Sequence, residues 1–184
     1  WPMLGYIAGQ LAPDRIPILT GLEATHPSND DLKAMCAAFG TTSAAPMLHV
    51  AGITPEAADF ALPADGVTVT RADLARVWAE LNTGPQAIDL VAFGSPHFSL
   101  TECHALADLA KGHRAKDTAV IVTVGQNVLA GIRTDGTLAR LEEFGVQVIP
   151  DICWCSITEP LLPPKAQTLM TNSGKYAHYA PGLS

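Results

Sequence analysis

The feature that most constrains the fold is the alternation of apolar runs, each too short for a helix, with segments that open on helix-capping residues. Runs at 47–50, 66–69, 88–93, 119–124, 146–149 and 167–170 read as strands. Helix starts stand between them. Ser28 precedes Asp31, Thr70 precedes Asp73 and Ser99 precedes Glu102, each at the spacing of a capping box. Thr54 comes before Pro55, a residue suited to a first helical position. Strand, cap and helix in this repeating order predict an α/β fold: three α/β/α layers around a largely parallel sheet.

Two of the helices carry further detail. Over 99–111, Leu100, Cys103, His104, Ala107 and Ala110 recur at helical spacing, which predicts a stripe facing the sheet and a stop at Gly112. The segment 138–144, closed by Gly145, repeats that arrangement. Pro160, Pro163 and Pro164 rule out helix interior over 158–165 and predict a stiff connector. No repeat breaks the pattern, and 184 residues fit one domain, 1–184.

Composition then excludes classes of function. Hydrophobic residues make up 48% and charged residues 16%, too apolar for a disordered chain. An uninterrupted apolar run of ~18 residues, as a membrane span requires, is not found. With 11 Lys+Arg against 18 Asp+Glu the net charge is -7, and no basic stripe is interleaved with aromatics, so neither membrane nor nucleic acid is expected as a partner. Cys36, Cys103, Cys153 and Cys155 come without a signal peptide, which points to a reducing cytoplasm. The start at Trp1, without an initiator Met, suggests an internal or C-terminal segment of a longer polypeptide.

In open α/β sheets, ligands bind beyond the carboxyl ends of the strands, and four such ends carry chemistry here. Asp151-Ile152-Cys153-Trp154-Cys155 follows the strand 146–149. Cys153 there is either a soft metal ligand or a buried structural thiol, as Cys36 and Cys103 are expected to be in their helices; Asp151 either fixes a neighbouring amide or caps a turn. Thr171-Asn172-Ser173-Gly174-Lys175 follows 167–170 and gathers hydroxyls, an amide and an ammonium around a glycine, a candidate anion site without the upstream glycine of a P-loop. Gly94-Ser95-Pro96-His97-Phe98-Ser99 follows 88–93; Ser95, His97 and Ser99 either bind a carboxylate or hydroxyl, or leave Ser99 as a plain cap and His97 at the surface. His49 ends the run 47–50, as a core residue or as a proton shuttle.

These motifs in this order, with His49-Val50-Ala51-Gly52-Ile53-Thr54-Pro55-Glu56 leading, resemble the large-subunit part of aconitase X, and the resemblance runs from Tyr6-Ile7-Ala8-Gly9 to Lys175. It implies an aconitase-like domain and a hydro-lyase that dehydrates a small hydroxylated carboxylic acid. Cys153 would bind an iron-sulfur cluster (2Fe-2S or 4Fe-4S) or a mononuclear iron. Ser95 and His97 would be catalytic, and His49, Thr54, Ser99, Asn172, Ser173 and Lys175 would contact substrate. Many members, archaeal ones especially, have cysteine where Ser95 stands. The serine fits the bacterial cis-3-hydroxy-L-proline dehydratase branch better than the mevalonate 5-phosphate branch. The other cluster ligands would lie upstream of Trp1 and the mobile smaller domain elsewhere, so this segment alone is expected to be inactive. Two readings of other kinds compete: a metal-free small-anion binding module, and a scaffold whose motifs are relics.

Overall fold

The computed structural model describes residues 1–182, in two compact units that divide between Asn82 and Thr83.

The first unit begins with two helices, α1 (Pro2–Leu11) and α2 (Asn29–Thr42), which pack backbone to backbone. A Cβ on Gly5 would lie 2.0 Å from the Met35 carbonyl oxygen, so only glycine allows the approach. Ser28 and Asp31 form the expected capping box at the start of α2. Two short parallel strands, β1 (Ile18–Leu19) and β2 (His49–Val50), make a small sheet, with Met35, Phe39, Leu48 and Val50 buried beside them. Helix α3 (Arg71–Leu81) opens on the Thr70–Asp73 box. Between β2 and α3 two expectations fail. Pro55–Asp59 is a single 3-10 turn, because the Thr54 hydroxyl bonds the Val50 backbone in place of a helix N–H. The run 66–69 is irregular and Val67 is 74% exposed. No strand among the described residues pairs with it, and a β-prone sequence without a neighbouring edge has nowhere to place its backbone hydrogen bonds.

In the second unit a four-stranded parallel sheet runs in the order β5-β4-β3-β6, built from β3 (Leu90–Phe98), β4 (Ala119–Val124), β5 (Val146–Pro150) and β6 (Leu169–Thr171). Side chains alternate faces along a strand, and the two cores divide accordingly. Val120, Val122 and Val124 pack with Cys103, Ala107, Leu129, Ile132 and Leu141 from α4 (Leu100–Ala110), α5 (Gln126–Thr134) and α6 (Thr137–Phe144). Ile121, Leu90 and Ala92 point the other way, onto Trp154, Ile157 and Tyr176, the last from α7 (Gly174–Tyr179). Three α/β/α layers result. The α4 stripe is narrower than its spacing implies: Cys103, Ala107 and Ala110 are buried, Leu100 is 40% exposed, and His104 pairs with Asp135 at the rim. Cys36, expected inside, is exposed on α2.

Two details position the site. β3 does not end at residue 93 but continues to Phe98, its register against β4 shifting between Phe93 and Phe98. The chain also moves outward from β3 to β4 to β5 and then returns to place β6 on the other side of β3. That reversal is a topological switch point, where open α/β sheets leave a crevice. No helix among the described residues is long and apolar enough to cross a membrane.

Candidate functional site

The crevice is built where β3 and β6 end. At Gly94, φ is +96°, and a Cβ there would lie 2.3 Å from the Thr123 carbonyl oxygen. Thr123, fully buried on β4, donates its hydroxyl to the Gly94 carbonyl at 2.7 Å. This close seam fixes the direction in which the next residue leaves the sheet. That residue is Ser95, 6% exposed, whose carbonyl accepts a hydrogen bond from the Ser173 hydroxyl. Ser173 Oγ also accepts the Tyr176 N–H at 2.9 Å, so it joins the two strand ends and starts α7. The Ser95 side chain is different. Its Oγ is buried with no hydrogen-bond partner among the described residues, the only such side-chain atom there. A buried hydroxyl without a partner costs about 1–3 kcal/mol, which makes Ser95 Oγ a candidate contact for a bound group.

The cysteine turn lies after β5. Asp151 has φ +57°, donates its N–H to the Val124 carbonyl at 2.8 Å and accepts the Gln126 N–H on its carboxylate at 3.0 Å. It thereby caps the first turn of α5. Trp154, 1% exposed, has its ring 5.0 Å from that of Tyr176, tilted by 38°, and donates its indole N–H to the Phe93 carbonyl at 2.6 Å. Between these anchors Cys153 is exposed, as is Cys155. The sulfur is therefore not a buried structural thiol.

Charge brings the turn and the β6 loop together. Burial pushes the Cys155 thiol above its ordinary value; the Cys153 thiol, to which it is hydrogen bonded, raises it further, and the Lys175 ammonium opposes both. The Tyr176 phenol is raised by burial first and then by Cys155 and Cys153. Cys153, Cys155, Lys175 and Tyr176 thus surround one locality. Asn172, on the same loop as Lys175, is exposed.

The other expected site residues are placed as follows. His97, half-buried, bonds through Nε2 to the Ile152 carbonyl at 2.8 Å. Ser99 accepts the Glu102 N–H at 3.1 Å while the Glu102 carboxylate accepts the Ser99 N–H at 2.9 Å, the predicted cap of α4. His49 and Thr54 belong to the first unit, where His49 is buried with its ring 5.1 Å from that of Phe60. Trp154, Tyr176 and Cys155 were missing from the expected set. An aromatic flanking a strand-end cysteine was the available signal for Trp154, whereas its ring neighbour lies far along the chain.

Two family models cover nearly the whole chain: the aconitase X second domain over residues 1–79 and the aconitase X third domain over residues 88–184. The chain belongs to the aconitase X family. Among curated relatives of this family, cis-3-hydroxy-L-proline dehydratase of Pseudomonas aeruginosa is 47% identical over 100% of the chain and 33% of its own length. The Hypocrea jecorina enzyme of the same name is 45% identical, over 100% and 32%. The phosphomevalonate dehydratase large subunit of Methanosarcina mazei is 32% identical, over 98% and 43%. The aconitase X chain thus spans about a third of the length of the first two. Its fold superposes on the holo-form of Thermococcus kodakaraensis aconitase X with a TM-score of 0.83 at 28% identity, covering 98% of this chain and 46% of that one.

Does the donor set suit iron? Two exposed thiols at a rigid strand end are soft ligands of the right kind. No group of three or more His, Cys, Asp and Glu side chains that could hold a metal occurs among the described residues. The thiols could hold iron, and the described residues around them do not by themselves make a complete ligand set.

Proposed function

We propose that this chain is the second and third domains of a hydro-lyase that removes water from a small hydroxylated carboxylic acid, cis-3-hydroxy-L-proline, at an iron or iron-sulfur centre. The observation that carries the proposal is the meeting, at the switch point of the sheet, of an exposed thiol pair, the Lys175 ammonium and the unpartnered Ser95 hydroxyl. The substrate follows the relatives: the two hydroxyproline enzymes are 47% and 45% identical, the Methanosarcina phosphomevalonate enzyme 32%.

Cys153 would hold the iron. When bound, that iron supplies Lewis acidity to the departing hydroxyl. Lys175 binds the substrate carboxylate, and Asn172, beside it, donates an amide hydrogen bond. Elimination requires transfer of the proton on the carbon next to the carboxylate to a basic side chain of the full-length enzyme, which leaves negative charge spread over that carbon and the carboxylate. Lys175 offsets this charge, and the Ser95 hydroxyl, already desolvated, donates to it without first giving up a protein partner. The Ser173 hydroxyl, engaged with the Ser95 carbonyl and the Tyr176 amide, holds the two loops in register. Ser99 supports the same corner by capping α4, and no step is assigned to His49 or Thr54.

The test is to load the parent polypeptide anaerobically with iron and sulfide and assay it against cis-3-hydroxy-L-proline and mevalonate 5-phosphate side by side. Turnover of the first is expected. Turnover of the second alone would overturn the substrate, and turnover of neither would overturn the activity.

A further inference from the structure

We propose that His97 is a positioning residue that aims the Cys153 thiolate, and that its Nε2 is not the proton acceptor of the reaction. This rests on the reading of Cys153 as an iron ligand.

Because the Cys153 side chain is exposed, packing does not set its direction. The backbone must. Besides the Asp151 N–H on the Val124 carbonyl at 2.8 Å, three hydrogen bonds that involve side chains tie the turn to the rest of the unit: Gln126 N–H to the Asp151 carboxylate at 3.0 Å, His97 Nε2 to the Ile152 carbonyl at 2.8 Å, and Trp154 Nε1 to the Phe93 carbonyl at 2.6 Å. The first and third act on the flanking residues. Only the second acts on the peptide group that joins Ile152 to Cys153. That group is planar, so fixing its carbonyl oxygen also fixes the direction of the Cys153 N–Cα bond, about which the φ of Cys153, here -80°, is measured. The direction of the Cα–Cβ bond follows, which leaves the sulfur only its rotation about that bond. His97 itself stands on a braced strand end, between Ser95, whose carbonyl is held by Ser173, and Phe98, which pairs with Val124.

The same bond decides the proton inventory of the ring. A carbonyl oxygen only accepts, so Nε2 carries the hydrogen. For Nε2 to take a proton from substrate, the ring would have to release Ile152 and free the cysteine it steadies. A role in holding the turn and a role as acceptor through that nitrogen are therefore mutually exclusive.

The experiment uses the full-length enzyme and its variants His97→Gln, His97→Asn, His97→Ala and Cys153→Ser. Glutamine places an amide donor near the position of Nε2, whereas asparagine has the same chemistry but falls short. The readouts are iron per chain after anaerobic reconstitution, the absorption spectrum of the centre, kcat, KM and the pH profile of kcat/KM. Removing a partner that orients a metal ligand costs about 10–100-fold in metal affinity or activity. His97→Ala and His97→Asn are expected to lose iron to that extent, while His97→Gln keeps the iron, the spectrum and an unshifted acid limb, with kcat within a few-fold of wild type. If His97→Ala does not fold, the contrast between glutamine and asparagine carries the test. Full iron retention in His97→Asn would overturn the proposal. So would a His97→Gln enzyme that keeps its iron but loses kcat by two orders of magnitude together with its acid limb. Full iron in Cys153→Ser would instead sink the ligand reading beneath it, whatever the His97 variants do.

Discussion

Replacing Gly94 by alanine tests whether the seam between β3 and β4 is as tight as the geometry states. Two costs add. Alanine at φ +96° pays about 1–3 kcal/mol of backbone strain. Its Cβ would also lie 2.3 Å from the Thr123 carbonyl oxygen, 2.6 Å from its hydroxyl and 2.8 Å from its nitrogen. Two of those atoms are backbone and cannot swing aside, so overpacking adds about 1–3 kcal/mol. The sum, about 2–6 kcal/mol, is a large share of the 5–15 kcal/mol typical of a native protein. Gly112→Ala is the control. Gly112 has φ +78° and nothing lies within 4 Å of where an alanine Cβ would stand, so it carries the strain without the clash. In urea unfolding followed by the fluorescence of buried Trp154, with a slope of about 2 kcal/mol/M, Gly94→Ala should fall below Gly112→Ala by about 0.5–1.5 M in midpoint. Coincident midpoints would refute the claim that the seam admits no side chain.

Other consequences can be checked separately. Ser99→Ala removes the cap of α4 and should cost about 1 kcal/mol in the same urea titration; an unchanged midpoint would mean the box contributes nothing. Asp135 is held at a pKa of about 2, first by the Thr137 N–H and then by His104. Its folded value lies below the ordinary aspartate range, so the stability it lends is complete above that range and drains away as pH falls through about 2. Asp135→Asn should therefore flatten the acid side of the stability profile between pH 4 and pH 2, and an unaltered acid limb would contradict this. In the parent enzyme, Lys175→Gln exchanges a charged hydrogen bond to the substrate carboxylate for a neutral one. At about 1.5–3 kcal/mol, KM should rise about 10–100-fold, and a KM equal to wild type would remove Lys175 from the binding site.

Much of this architecture can be read from the chain because its signals are local. β4 and β5 lie where apolar runs fall between a cap and a glycine stop, and all three capping boxes form because each needs only residues three apart. What escapes the sequence is set by distant neighbours. The glycines of α1 look like helix breakers, yet Gly5 and Gly9 are what let α2 approach. The run 66–69 has strand composition but no edge to join. In the site, the strand-end rule led to the right loops. It could not show that Ser173 is consumed by the Ser95 carbonyl, that the Ser95 hydroxyl is left over, or that His97 reaches a carbonyl 55 residues away. Those facts depend on how three loops meet, and no single loop encodes them.

The most direct test of the whole account is the iron content of the parent enzyme with Cys153→Ser beside Cys103→Ser, whose thiol is fully buried on α4. After anaerobic reconstitution and removal of loosely held metal, the account predicts that Cys103→Ser keeps the iron of the wild type and Cys153→Ser loses it. Equal iron in the Cys153 variant and the wild type would contradict it.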